Sequence, residues 1–111
     1  MRSPAYVPDA GEVVWLQFDP QAGHEQAGHR PAVVLSPASY NGKTGLMVCC
    51  PLTTRIKGYP FEVPIAGRPA GAVLSDQVKN LDWRARNAVR KGRVTDIELG
   101  QIRAKLRALI G

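Results

Sequence analysis

Two cysteines and two histidines are the whole supply of thiol and imidazole side chains in this 111-residue chain. Cys49 and Cys50 are adjacent, so on a strand they point to opposite faces and are poorly placed to bond to each other. With no further cysteine and no C-x-x-C spacing, neither a disulfide framework nor a cysteine zinc site can be assembled, and a reducing compartment follows. His24 and His29 have no converging carboxylate cluster around them in the sequence, so no metal or other cofactor is expected. Long apolar runs are also missing. The longest, around "LMVCCPL", is far short of the roughly 20 residues that cross a bilayer, which excludes a membrane helix. The segment "MRSPAYVPDAG" has no apolar core of a signal peptide, and a cytoplasmic location is expected. There is no repeat, low-complexity tract or linker, so residues 1–111 are read as one domain.

Basic residues outnumber acidic ones, 15 to 9, and the isoelectric point is near 9.8. Such a balance fits either a soluble protein that happens to be basic or one with an anionic partner, nucleic acid or an acidic protein. The chain is long enough for a single modest core. Short β-type runs recur at 12–18, 31–36, 45–51, 59–65, 71–78 and 86–94, separated by turn chemistry. Asn41-Gly42 reads as a tight turn between two of them. Two prolines in "YPFEVPI" (59–65) place that run at a sheet edge or bulge. The period changes at the C-terminus. Thr95 and Glu98 form a capping box, and Leu99, Ile102, Leu106, Leu109 and Ile110 form a helical stripe that should pack on the sheet. The expected fold is mainly β: a small, strongly bent sheet or barrel with a C-terminal helix against it.

Three clusters hold the chemistry. In "GHEQAGHRP" (23–31), a connection of about ten residues collects Glu25, His24, His29 and Arg30 between two strands, longer than a hairpin needs. Glu25 can act as a base, and the planar fork of Arg30, held before the strand "PAVVLS", fits two phosphate oxygens. Each of these could equally be a solvated or locally paired residue; their concentration in one anchored loop is the signal. In "LTTRIKGYP" (52–60), Thr53 and Thr54 offer hydroxyls past a buried strand, followed by Arg55 and Lys57, a combination suited to cradling phosphate. Tyr59 and Phe61 can stack on bases or pack at a sheet edge. In "SDQVKN" (75–80) with "WRAR" (83–86), Asp76 and Gln77 interrupt a β-like run where Asp is disfavoured. Trp83 reads as packing with a partly wet edge, and Arg84, Arg86, Arg90, Lys91 and Arg93 make the last strands strongly positive.

The segments "GEVVWLQFDPQAGHEQAGHRPAVVLS", "NGKTG", "PLTTRIKGYPFEV", "SDQVKNLDWRAR" and "IRAKLRALIG" together resemble the MazF/PemK/Kid family of toxin endoribonucleases, and most closely its MazF branch. The likeness runs from about Tyr6 to Gly111. It implies an SH3-like Kid/PemK-type barrel with a C-terminal helix, acting as a homodimer on single-stranded RNA, especially messenger RNA. It implies sequence-specific, metal-independent cleavage that leaves a 2′,3′-cyclic phosphate and a 5′-hydroxyl. The implied partner is a MazE-like antitoxin with a flexible acidic segment. Carried over by motif, Arg30 and Thr53 take the central catalytic roles, with Glu25 as candidate base. Gln26, His29, Thr54, Arg55, Lys57, Tyr59, Asp76, Gln77, Lys79 and Arg86 are expected to bind substrate. The Kid branch has an arginine two residues before the aspartate of the "DQ" pair; Leu74 stands there in this chain, which moves any acid duty to Arg30. A non-catalytic barrel that poisons a protein target, like the CcdB-type gyrase poisons, or an RNA-binding barrel without cleavage would leave the loop residues incidental.

Overall fold

The computed structural model describes residues 6–18, 29–67 and 70–111. Within them the chain forms β1 (Glu12–Gln17), β2 (His29–Val34), α1 (Ala38–Thr44), β3 (Leu46–Thr53), β4 (Glu62–Ile65), β5 (Gly71–Leu74), β6 (Lys79–Asp82), β7 (Val89–Arg93) and α2 (Asp96–Ile110). A 3₁₀ turn, Ser75–Gln77, links β5 to β6. The strand pairings are antiparallel, and the sheet runs β4-β5-β3-β2-β1-β7 with β6 also on β3. This is the expected bent, mainly β architecture: a sheet curled into a half-barrel, with β4 at an edge as its prolines require.

Strand β3 is the hub. One flank pairs with β2; the other pairs first with β6, through Leu46–Cys49, and then with β5, through Leu52 and Thr53. Pro51 lies between those two stretches, where neither β6 nor β5 is opposite, so a residue without an N–H sits in a central strand with no ladder position left empty on that side. The strand therefore runs two residues past its expected end at Pro51, and Thr53 is its last member rather than a loop residue.

The side-chain alternation of β1, β2 and β3 fills two cores instead of the single one expected. Val13, Val33, Cys50 and Leu52 join Val63, Val73, Val94, Leu99 and Ile102 on the α2 side. Val14, Leu16, Phe18, Ala32, Val34, Met47 and Cys49 gather with Trp83 on the other. The two thiols thus face apart, each within a different apolar cluster. Trp83 is dry, 5% exposed, and its Nε1 donates to the Asn41 carbonyl, so the wet edge expected for it is absent.

Asn41-Gly42 is not a turn: it lies inside α1. Asn41 is fully buried; its Nδ2 donates to the carbonyls of Pro8 and Ser36, and its Oδ1 accepts from the Ser36 hydroxyl. The chain reversal falls instead at Gly45, whose φ of 75° closes α1 in the left-handed region, where glycine carries no Cβ penalty. Helix α2 carries the anticipated capping box. Glu98 also accepts the backbone N–H of Ala66, tying the helix start to the end of β4. Partial desolvation raises that carboxyl, but the donors from Ala66 and Thr95 outweigh it and leave its pKa lowered. Only part of the helical stripe packs: Leu99 and Ile102 are buried, Leu106 is half-buried, and Ile110 is 72% exposed. No helix among the described residues is long and apolar enough to cross a membrane.

Gly71 and Thr53 meet at closest approach. A Cβ on Gly71 would lie 2.2 Å from the Thr53 carbonyl oxygen. Gly71→Ala should therefore overpack this ladder and lower stability by about 1–3 kcal/mol in urea unfolding; an unchanged midpoint would show that β5 moves aside freely. Burial pushes both thiols up to about 12, and the thiolate is the reactive form. At neutral pH a disulfide reagent should modify Cys49 and Cys50 only after denaturant is added; rapid labelling of the native protein would contradict the burial.

Candidate active site

Arg30 is the second residue of β2, opposite Leu16 of β1. Continuing the β2–β3 register from the Ala32↔Pro51 pair by two residues brings Arg30 opposite Thr53. Residues directly opposite in an antiparallel pair project to the same face, and the two line one cavity of about 320 Å³ together with Thr54, Arg55, Pro31 and Leu52. The Arg30 guanidinium lies 5.8 Å from the centroid of the Phe18 ring. That ring is buried at the end of β1 and gives the cation an apolar seat.

The Thr53 hydroxyl oxygen accepts the backbone N–H of Arg55 at 3.1 Å. A hydroxyl has one proton to donate and lone pairs to accept. With an acceptor position used by the backbone, its rotor is constrained and its proton is left for a ligand oxygen in the cavity.

A second cavity, about 270 Å³, adjoins the first through Thr53 and Arg55, which line both. Lys57 and Tyr59 form one wall, with the Lys57 ammonium 5.8 Å from the Tyr59 ring centroid. Leu74, Asp76 and Gln77 form the other. Asp76 and Gln77 reach it because they sit on the 3₁₀ turn, not on the strand that their apolar neighbours suggest. Tyr59 is 61% exposed, an aromatic face on the groove rim. Glu62 of β4 closes the floor: its carboxylate accepts the N–H groups of Lys57 and Gly58.

One continuous groove therefore holds Arg30, Thr53, Thr54, Arg55, Lys57, Tyr59, Asp76 and Gln77. Three expected binding residues lie apart from it. His29 stacks on Trp15, ring centroids 6.3 Å apart, and strand alternation turns it to the face opposite Arg30. Lys79 opens β6 opposite Cys49 and is exposed. Arg86 lines a separate cavity with Gln17, Asp82 and Ala85. Its guanidinium donates to the Gln17 carbonyl at 3.3 Å and its own carbonyl accepts the Gln17 N–H at 3.0 Å, so it braces the last residue of β1. Glu25 and Gln26, with His24, lie outside the described residues. Among the described residues no group of three His, Cys, Asp or Glu side chains is arranged to hold a metal ion.

Glu62, Phe18 and Gly71 support the groove without having been singled out in the sequence. Only Glu62 left a signal there: a carboxylate set between Phe61 and Val63 in a strand that otherwise reads as apolar.

Residues 9–110 match the family model of PemK-like, MazF-like toxins of type II toxin–antitoxin systems. The chain is 58% identical over 107 residues to the endoribonuclease toxin MazF of Escherichia coli strain K12, covering 96% of each. It is 32% identical over 108 residues to the endoribonuclease PemK of Escherichia coli, covering 92% of this chain and 81% of that one. The crystal structure of MazF from Deinococcus radiodurans matches with a TM-score of 0.89 at 55% identity, over 96% of this chain and 99% of the other. A MazE–MazF crystal structure from the same organism matches at 0.87 and 53% identity, over 96% and 98%. The likeness covers both walls of the groove and the strands beneath them, and the chain belongs to the family of PemK-like, MazF-like toxins of type II toxin–antitoxin systems.

Proposed function

We propose that this toxin is an endoribonuclease that cuts single-stranded messenger RNA in the cytoplasm through attack of a ribose 2′-hydroxyl on the adjacent phosphorus. The observation that carries this reading is the shared cavity of Arg30 and Thr53, a cation and a donor hydroxyl lining one space with room for a phosphate. In the reaction the 2′-oxygen forms a bond to phosphorus, the bond to the 5′-oxygen breaks, and the products are a 2′,3′-cyclic phosphate and a 5′-hydroxyl. The nucleophile belongs to the substrate, so the step requires no metal-bound water. It requires a base for the 2′-proton, a proton for the departing 5′-oxygen, and stabilisation of the charge that builds on the phosphorane.

Arg30 and Thr53 supply the stabilisation. Preorganised donors aimed at developing charge are commonly the largest catalytic contribution, about 10²–10³-fold for each donor removed. Glu25 is the proposed base; positioned proton transfer contributes typically about 10²–10⁴-fold. The adjoining cavity of Lys57, Tyr59, Asp76 and Gln77 is the proposed site for a neighbouring nucleotide: aromatic stacking and hydrogen bonding to base edges are how single strands are read. Thr54 and Arg55 bridge the two cavities and would hold the intervening backbone. The protein is further proposed to act as a homodimer and to be held inactive by an antitoxin whose flexible acidic segment lies along the groove, as the Deinococcus radiodurans relative is found with MazE.

Arg30→Ala should lower kcat on a cleavable oligonucleotide by at least about 10²-fold while the circular dichroism spectrum stays native; full activity would remove Arg30 from the mechanism. Cleavage should persist in excess EDTA and stop when the scissile ribose is 2′-deoxy. Inhibition by EDTA, cutting of the deoxy substrate, or binding of a long transcript without discrete fragments would each overturn the chemistry proposed.

A further inference from the structure

We infer that Glu62 is a positioning residue that sets the RNA word recognised, by holding the turn that carries Lys57 and Tyr59 against the second cavity. The inference rests on the RNA-cleaving reading above and adds a residue to it. Glu62 is 8% exposed, an unusual burial for a carboxylate. Its Oε1 accepts the backbone N–H of Gly58 at 2.9 Å and that of Lys57 at 3.1 Å, and Oε2 lies 3.3 Å from the Lys57 nitrogen. Its own backbone N–H donates to the Tyr59 carbonyl at 3.0 Å.

Residues 54–60 are exposed, so packing does not fix their path. Among the described residues, that stretch is otherwise fastened by Arg55 N–H to the Thr53 hydroxyl and by the Lys105 ammonium to the Pro60 carbonyl. Gly58 takes a φ of 76°, which glycine adopts freely, and the two consecutive N–H groups of Lys57 and Gly58 converge on the one carboxylate. Two consequences follow for an anionic ligand. The carboxylate's charge at the cavity floor is met by the two backbone N–H dipoles, which lessens its repulsion of phosphate. The Lys57 and Tyr59 side chains leave a pinned backbone and stand opposite Leu74, Asp76 and Gln77. A freed turn would let that wall swing, and the cavity would accept bases it now excludes.

Reach and charge can be separated with two variants. Glu62→Gln keeps an acceptor oxygen at the same reach without the charge; Glu62→Asp keeps the charge one methylene short of the two N–H groups. We expect Glu62→Asp to raise KM about 10-fold, with kcat within about 3-fold, and to add cut sites in primer extension of a long transcript. Glu62→Gln should stay within about 3-fold of wild type in both constants, with the wild-type cut pattern. The reverse order of the two variants, or an activity loss in Glu62→Asp that tracks unfolding and leaves KM and the cut pattern unchanged, would overturn the inference. Hydrogen exchange at the Lys57 and Gly58 amides tests the clamp without RNA. Protection lost in Glu62→Asp and kept in Glu62→Gln supports it, and equal protection in both refutes it, whether or not the wild type cleaves.

Discussion

The antiparallel register between β2 and β3 is the constraint on which the site depends. It sets Arg30 against Thr53, and a slip of one residue would send their side chains to opposite faces of the sheet. Burial alone specifies that register poorly, because both faces of these strands are apolar: Val33 and Cys50 pack on one side, Val34 and Cys49 on the other. The polar connection between the strands adds the missing specificity. Leu35 N–H donates to the Val48 carbonyl, and Val48 N–H donates to the Ser36 hydroxyl, which in turn donates to Asn41. Asn41 then reaches the Pro8 carbonyl and receives Trp83 on its own carbonyl. A shifted register would leave these buried groups without partners, at about 1–3 kcal/mol each. The network therefore excludes the alternatives that hydrophobic packing would tolerate.

The groove divides into a rigid part and a tethered part. Arg30 stands where β2 pairs with β1 and Thr53 where β3 pairs with β5, a placement on strands that holds a charge-stabilising pair more precisely than a loop would. Gly71 contributes by lacking a side chain, which lets β5 press against the Thr53 carbonyl. The residues that would read a base, by contrast, come from a turn and a 3₁₀ segment, the turn fastened by a few hydrogen bonds with those of Glu62 foremost. Charge stabilisation tolerates little displacement, whereas recognition is altered by changing a turn. The architecture assigns each task to the element suited to it.

The mainly β fold, the edge position of 59–65, the capping box at Thr95 and the opposed cysteines follow from local rules, and the sequence shows them plainly. So do Arg30 and Thr53, with the residues between Thr53 and Gln77 that complete the groove, through composition and family likeness. What escaped local reading is nonlocal in origin. Asn41-Gly42 carries turn chemistry, yet Asn41 is drawn into a helix by partners as distant as Pro8 and Trp83. Asp76 and Gln77 interrupt a strand because β5 ends after four residues and the chain must cross to β6, a strand whose "KNLD" has no alternation to announce it. His29 shares a loop with Arg30 in sequence and is separated from it by the two-residue period of a strand. The end of α2 keeps its helical stripe, yet Leu109 and Ile110 are exposed.

The excess positive charge is also distributed differently from its appearance in the sequence. The densest run of cations, Arg84 to Arg93, largely serves the fold. Arg90 pairs with Glu12 and Arg93 with Asp96. Arg84 stacks on Trp83, its guanidinium carbon 4.7 Å from the ring centroid, and donates to the Gly42 carbonyl. Arg86 braces Gln17. In α2, Arg103 and Lys105 cap the carbonyls of Leu35 and Pro60. The groove cations are fewer and less engaged: Arg30, Arg55 and Lys57 form no ion pair among the described residues, and their charge faces the two cavities. An ion-paired arginine has already spent its attraction on a carboxylate, so an arriving phosphate gains little from it. Among the described residues, Arg30, Arg55 and Lys57 beside the Thr53 hydroxyl therefore keep a charge that Arg90 and Arg93 share with carboxylates. That charge lies where β2 and β3 bring Arg30 and Thr53 together.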